Sequence, residues 1–559
     1  MPRVTFINEN LTAEVPAGTT IADAARQVGL TVETPCGGAG TCGKCRVIVS
    51  DLKAVEIMDS VKKLTDQDLR QGLVMACQTR IRSDLEVKTR PDPEKDGSLQ
   101  ILAEGRDFRV AVDSRFRKEY DEKSNITSIF LSGIPIESEQ GDSRGRLYGV
   151  TVDIGTTTLV TALIDFNTGR EVDSISALNP QCKYAQDVVS RINYSSHYKD
   201  GLQTLFEAVR DEINQMIGKL CDRNGIRREW IYEAVYSGNT TMLHLATMTD
   251  PYSLGQYPYT PVIEGGQSLL AKECGLEISR AGRVYLPPII SSYVGADISS
   301  GVLACSIHRQ AENILFIDIG TNGEMVLSIN GKMSACSTAA GPAFEGMNIT
   351  FGMRAGSGAI ESFEIDSDYE MEVKTIGNEP AKGICGSGLF DLVGELVRIG
   401  LIEKSGRFVK PEKSALPEKL LDRIGKYEGK TAFHIDNGVY LTLLDIRQIQ
   451  LAKSALRAGI EAMLGLQEVD VSDIDEVYIA GSFGYHLKPK SLVNIGILSG
   501  ELEDRIRFVG NTSKTGGTAL LLNEGCREEL LDIVKNIKTL ELSQYPDFES
   551  LFVKSMNFW

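Results

Sequence analysis

The sequence predicts a multidomain protein of mixed α+β and α/β class: a small β-rich N-terminal domain, a polar connecting stretch, and a large α/β unit built from two similar halves. Three observations carry this expectation. Cysteines 36, 42, 45 and 77 gather near the N terminus, the composition turns polar and charged from Pro91, and a β-branched strand ending in Asp-Ile-Gly-Thr occurs twice, at 153–156 and 318–321.

A chain of 559 residues is too long for one hydrophobic core, so several folding units are expected. Apolar and charged contents of 42% and 24% are ordinary for a globular protein. The formal net charge of −17 argues against nonspecific nucleic-acid binding, because a phosphate backbone attracts basic surfaces. No apolar run reaches the length of a membrane span, and the first residues lack the apolar centre of a secretory signal, so a cytoplasmic location is expected. The odd set of eleven cysteines fits a reducing compartment; Cys182, Cys221, Cys274, Cys305, Cys336, Cys385 and Cys526 read as core residues. The five histidines form no HxH or HxxxH pattern for a catalytic zinc.

Residues 1–91 form the first expected domain. Val4-Thr-Phe-Ile and Thr12-Ala-Glu-Val alternate around Asn8-Glu-Asn as a hairpin, and Thr19-Thr20 caps a helix over Ile21–Val28 that Gly29 ends. A loop Cys36-x5-Cys42-x2-Cys45 follows, then a strand at Arg46-Val-Ile-Val and, later, Cys77. Four thiolates on two irons, with small residues letting the backbone close around the sulfides, make a [2Fe-2S] site of Cys36, Cys42, Cys45 and Cys77. A zinc ribbon is the rival, but it usually shows two symmetric CxxC knuckles, and here only Cys42–Cys45 is one. The near P-loop Gly38–Cys45 lacks the magnesium-binding hydroxyl and precedes a strand, which excludes it. The order of elements resembles the β-grasp [2Fe-2S] ferredoxins, although the first cysteine gap is five where the plant type has four.

Residues 92–146 read as a linker or small middle module, in which 108–112 and Ile126–Leu131 are expected to pair as short strands. Slack in such a tether suits a carrier that must reach both donor and acceptor.

Two lobes, 147–310 and 311–559, follow. Each begins with a phosphate hairpin, Asp153-Ile-Gly155-Thr156-Thr157-Thr158 and Asp318-Ile-Gly320-Thr321-Asn322-Gly323. Glycine admits an oxyanion close to the turn, amides and hydroxyls cradle it, and each aspartate faces a hydrated Mg²⁺. Each hairpin is followed by an amphipathic helix, with stripes Leu205/Val209/Ile213/Ile217/Leu220 and Ile449/Ala452/Leu456/Ile460/Met463, and then by a strand and glycine turn, at Gly238-Asn239 and Gly481-Ser482-Phe483-Gly484. Three further runs of small residues are less specific. Gly383–Gly388 reads equally as the cap of a helix over 389–402 or as a nucleotide contact, Thr338–Gly346 as a cleft loop, and Gly510–Gly517 as the lead into a helix over 519–522. Asn179–Cys182 and Asp187–Arg191 read as a helix start with no assigned chemistry.

The duplication resembles the ribonuclease H-like ATPases of the acetate kinase, sugar kinase, Hsp70 and actin superfamily. That likeness implies that the two hairpins hold a polyphosphate from opposite sides, that Asp153 and Asp318 are catalytic through Mg²⁺ and water, and that Gly481, Ser482 and Phe483 pack on the adenosine.

Together with the phrases DIGTTT, SGNTTMLHL, DIGTNGEM, STAAGPAFEG, GICGSGL and IAGSFG, this arrangement resembles the reductive activators of corrinoid-dependent methyltransferases, enzymes of anaerobic metabolism. The resemblance implies an ATP-hydrolysing iron–sulfur protein that passes one electron to the Co(II) corrinoid of a partner protein and restores Co(I). It also implies an upstream low-potential donor, a homodimer, and a larger middle domain than residues 92–146 can supply. Plant-type clusters sit near about −400 mV. The family implies a lower cobalt couple, and each uphill 59 mV costs about a factor of ten, a shortfall that ATP offsets.

Other functions stay open on sequence alone. A small-molecule kinase with an accessory cluster would pass labelled phosphate to a product, an ATP-dependent electron donor would serve another enzyme such as a dehydratase, and an actin-like polymer would scatter light with ATP.

Overall fold

The computed structural model describes residues 1–30, 32, 34, 36, 38, 40, 45–58, 64, 66–89, 110–481 and 487–558. At the N terminus Arg3–Phe6 pairs antiparallel with Leu11–Glu14, and Val4, Phe6 and Ala13 turn inward. The sheet runs Leu11–Glu14, Arg3–Phe6, Leu85–Lys88, Arg46–Val49, Leu73–Met75. The helix Ile21–Gln27 is capped by the Thr20 hydroxyl, which accepts from Asp23 N at 3.1 Å, and buries Ile21, Ala22, Ala24 and Ala25. A mixed five-stranded sheet with the helix Ile21–Gln27 packed against it is the β-grasp arrangement.

Two stretches from the expected first lobe join this domain: one compact unit comprises Met1–Asp96, Leu178–Glu212 and Met248–Val262. The joins are specific. Cys36 forms a β-bridge with Ala185, Thr34 N donates to Lys183 O at 3.0 Å, and the Arg26 guanidinium lies over the rings of Tyr194 and Tyr198. Asp187 caps the helix Val188–His197 through Ser190 N, which gives the Asp187 signal a structural role.

The second unit holds Gly97–Ala177, Ile213–Thr247 and Ile263–Trp559. Its first piece corrects an expectation. Ile126–Leu131 pairs with Phe116–Asp121 and Ile134–Gln140 as a three-stranded sheet, not with 108–112. Val110 to Val112 carry no strand, Asp113 bridges Asn523, and residues 108 and 109 lie outside the described residues.

Two six-stranded sheets then repeat one plan. The first runs Arg170–Leu178, Thr158–Asp165, Tyr148–Ile154, Ile231–Gly238, Arg283–Leu286, Gln267–Leu270. The second runs Ile506–Gly510, Glu476–Ala480, Ile314–Ile319, Gly323–Ile329, Lys332–Thr338, Ile537–Thr539. In each, the first strand of the repeat pairs antiparallel with its hairpin partner on one side, and on the other side parallel with the strand that follows the long helix. Those helices are Gly201–Asn224 and Leu443–Gln467, and both predicted apolar stripes are buried. A parallel partner needs such a crossover, so the helix stripe and the sheet order are one constraint seen twice.

Two shorter helices, Ala296–Ala304 and Thr512–Leu522, pack on one another through small residues: a Cβ on Gly516 would stand 2.2 Å from Ser300 O. The second of them starts seven residues before the expected 519, because Asn511 caps it by accepting from Lys514 N at 2.8 Å. The helix Gly386–Arg398 likewise starts earlier than 389, with Cys385 at its N-cap, and Ser387 Oγ donates to Glu361 O at 2.9 Å. Arg527 forms a buried bidentate pair with Glu233 at 3.0 and 2.7 Å, tying the helix Glu524–Asn536 to the first sheet; removing one partner alone would cost about 3–5 kcal/mol. Among the described residues no helix is long and apolar enough to cross a membrane.

Candidate functional site

In the N-terminal domain the strand Arg46–Val49 starts directly after Cys45, and Cys77 sits in the turn Ala76–Gln78 that follows Leu73–Met75, its partner strand. Adjacent strands therefore bring the two thiols together, with Cys45 Sγ 3.2 Å from Cys77 Sγ. The proton between them is unevenly held. Cys45 is lowered, first by its hydrogen bond with Cys77, while Cys77 is raised by its hydrogen bonds with Cys36 and Cys45. Two sulfurs this close cannot both be thiolates without cations between them, and irons are what would convert all of them to thiolates. The thiols present fit the group. Cys42 lies outside the described residues.

In the second unit one cleft of about 90 Å³ is lined by Asp153, Gly155, Thr156, Thr157 and Thr158 of the first hairpin and by Asp318, Gly320, Thr321 and Asn322 of the second. Gly481 reaches it as well, at φ +109, where a Cβ would stand 2.7 Å from Ile319 O and 3.1 Å from Asp318 Oδ1. Gly323 does not line it; that glycine is packed under the Leu456 side chain. Ser482 and Phe483 lie outside the described residues.

The lining also holds Glu345, from the loop expected at the cleft, Asn239 of the first glycine turn, and Asp297, Glu324, Asn511, Thr512 and Ser513, which were not among the expected site residues. Asn239 Nδ2 donates to Thr156 Oγ1 at 3.0 Å while its own oxygen caps the helix Thr240–Ala246, fixing the first hairpin to the glycine turn beside it. Asn511 Nδ2 and Ser513 Oγ, from the start of the helix Thr512–Leu522, each donate to an Asp153 oxygen at 2.8 Å. A repeat would have found this pair of helix starts: Val294-Gly295-Ala-Asp297-Ile-Ser-Ser-Gly301 and Val509-Gly510-Asn511-Thr-Ser513-Lys-Thr-Gly516 share Val-Gly and a glycine six residues on.

The electrostatics are those of a cleft crowded with carboxyl groups. Asp153, Asp297 and Asp318 keep some water contact through the cleft, yet burial is the first cause raising each carboxyl. Asp318 is pushed to about 7 by burial and then by the Asp153 charge, and Asp297 and Glu324 are pushed up by burial and by their acidic neighbours. A divalent cation would reverse that logic. Mg²⁺ is usually held by one or two carboxylates plus phosphate oxygens and water, so Asp153 and Asp318 fit the ion without a third carboxylate.

The chain resembles known proteins along its whole length. A 2Fe-2S iron-sulfur cluster binding domain matches residues 4–82, the RACo middle region matches 148–310, and the C-terminal domain of RACo, the ASKHA domain, matches 312–559. The family's middle region falls on the residues read here as the first lobe. Corrinoid activation enzyme RamQ of Eubacterium limosum is 30% identical over 96% of each chain. The [Co(II) methylated amine-specific corrinoid protein] reductase of Methanosarcina barkeri is 24% identical over 74% of this chain and 77% of that one. A solved reductive activator for corrinoid, iron-sulfur protein superposes with a TM-score of 0.73 at 31% identity, covering 100% of this chain and 98% of that one. On these matches the chain belongs to the family of reductive activators of corrinoid proteins.

Proposed function

We propose that this protein is an ATP-dependent reductive activator: it passes one electron from a [2Fe-2S] cluster to the Co(II) corrinoid of a partner methyltransferase protein and restores Co(I). The single observation that supports this best is the presence, in one chain matched end to end by such activators, of a closely paired cysteine site and a two-hairpin nucleotide cleft.

When bound, the cluster supplies single electrons at a potential near about −400 mV for its plant-type relatives. Cys36, Cys42, Cys45 and Cys77 hold it. Thr156, Thr157, Thr158, Thr321 and Asn322, with the amides of Gly155 and Gly320, face the phosphates, Asp153 and Asp318 position Mg²⁺ and the attacking water, and Gly481, Ser482 and Phe483 bound the adenosine. Binding of ATP shifts the complex toward the conformation in which reduced cobalt is favoured, by no more than its differential affinity for the two conformations. A low-potential donor upstream, a homodimeric assembly and a cytoplasmic setting complete the reading.

The test is anaerobic reconstitution with iron and sulfide, then mixing with a Co(II) corrinoid protein. Wild type is expected to turn over ATP and raise the visible absorbance of Co(I), and Cys42→Ala to keep ATP turnover but raise no Co(I). A Cys42→Ala protein that forms Co(I) at the wild-type rate would refute the electron route.

A further inference from the structure

Both phosphate hairpins end on one carboxylate. Thr157 Oγ1, at the tip of the first, donates to Glu345 Oε2, and Thr321 Oγ1, at the tip of the second, donates to Glu345 Oε1 at 2.8 Å. The two hydroxyl oxygens lie 3.1 Å apart, so the tips touch across the cleft. Glu345 closes the short turn Pro342–Glu345 on the loop leaving the strand Lys332–Thr338. Its neighbour Phe344 is fully buried and stacks on Phe390 at 4.5 Å between centroids, which anchors the turn and aims the carboxylate.

Each threonine hydroxyl has one proton to give. A bound polyphosphate would draw on the same two donors, and Glu345 presents them with what a phosphate presents, a pair of anionic oxygens at hydrogen-bond distance. It is a poor neighbour for a real phosphate, because the carboxyl groups of Asp153, Asp297 and Asp318 already line the cleft and another anion beside them is repelled.

We propose that Glu345 is an internal occupant of the phosphate site, a carboxylate latch that joins the two hairpins in the nucleotide-free protein and that a polyphosphate must displace. The inference rests on reading the cleft as the nucleotide site. It adds that affinity is set by competition with the chain's own carboxylate and that the hairpin tips part when nucleotide enters. Apparent affinity falls with the fraction of molecules whose site is closed, so removing the latch tightens binding without adding any contact.

The test uses full-length, cluster-loaded protein titrated calorimetrically with Mg²⁺ and the β,γ-imido analogue of ATP, which is not hydrolysed. Glu345→Ala is expected to bind at least about ten-fold more tightly than wild type, or about 1.4 kcal/mol. Glu345→Gln keeps the shape but offers one accepting oxygen, and is expected between the two. Thermal melts separate a latch from a merely structural glutamate: the variants should melt below wild type without the analogue and converge with it at saturation, because the latch is then open in every protein. Variants that bind as wild type does or more weakly, or that melt low even at saturation, would overturn the latch and leave the cleft standing. Failure of all three proteins to bind the analogue would remove the reading of the cleft itself, and the latch with it.

Discussion

The two Asp-Ile-Gly-Thr hairpins carry the same four residues and meet different surroundings. In the first, a Cβ on Gly155 would stand 2.7 Å from Thr158 O, so the turn is drawn tight around the glycine; in the second, a Cβ on Gly320 would find its nearest neighbour, Asn322 O, at 3.7 Å, and the crowded glycine is Gly323, under Leu456. The aspartates differ as well. Asp153 has a donor on each oxygen, Asn511 and Ser513, which counter the cost of burial, whereas Asp318 feels burial and the Asp153 charge and rises to about 7. A duplicated motif has kept its backbone plan while its two copies meet different fields: burial raises both aspartates, but two hydrogen-bond donors oppose the rise at Asp153, whereas the Asp153 charge adds to it at Asp318.

The strongest test of that difference is removal. Asp153→Ala and Asp318→Ala should each lower ATP turnover by about 10²-fold or more, the usual scale for losing one preorganised charge-stabilising group. Turnover within a few-fold of wild type in either variant would strip that aspartate of its role. Next come the glycines. Gly155→Ala and Gly323→Ala should each destabilise by about 1–3 kcal/mol in chemical denaturation, the range for overpacking, and Gly320→Ala by less than about 0.5 kcal/mol. Equal losses at 155 and 320 would erase the contrast in the turns.

Asn511→Ala removes both a helix cap and a donor to Asp153. It should cost about 1 kcal/mol in unfolding free energy, the typical value for the cap alone, with any excess measuring the second bond. The smallest effect is the pH dependence of melting without Mg²⁺. A carboxyl whose folded pKa is raised gives stability that is complete below its unfolded pKa, near 4, and lost as pH rises through the folded value, here about 7. Asp318→Asn should therefore melt above wild type at pH 8, by about 2–4 °C if the gain is about 1 kcal/mol, and match it only below about pH 4. Asp153→Asn should gain less, because Asn511 and Ser513 already favour the anion. A flat wild-type profile from pH 5 to 8 would argue against a raised Asp318.

Much of the architecture was legible because it depends on repeated short-range signals. The Asp-Ile-Gly-Thr strand ends and the two apolar helix stripes fixed which strands had to be parallel, and the observed sheet orders follow. The helices Thr512–Leu522 and Gly386–Arg398 start earlier than their sequences suggest for one reason, that glycines inside a helix read as loop even where they pack closely. Residues of the cleft that act on others were the least legible. Asp297 and Ser513 look like ordinary first-turn residues until the topology sets them beside Asp153, and Glu345 gains meaning from two threonines far away in sequence. The joining of Leu178–Glu212 to the N-terminal domain had no local signal, since single contacts such as the Cys36–Ala185 bridge leave no periodic trace.

The central claim is that nucleotide in the cleft enables an electron to leave the cysteine site for cobalt. The most direct measurement mixes protein with its cluster already reduced, and no other reductant, with a Co(II) corrinoid protein under anaerobic conditions, and follows Co(I) absorbance with and without MgATP. The account predicts Co(I) in proportion to reduced cluster when MgATP is present, and little without it or with Asp318→Ala. Co(I) formed to the same extent in the absence of nucleotide would contradict it.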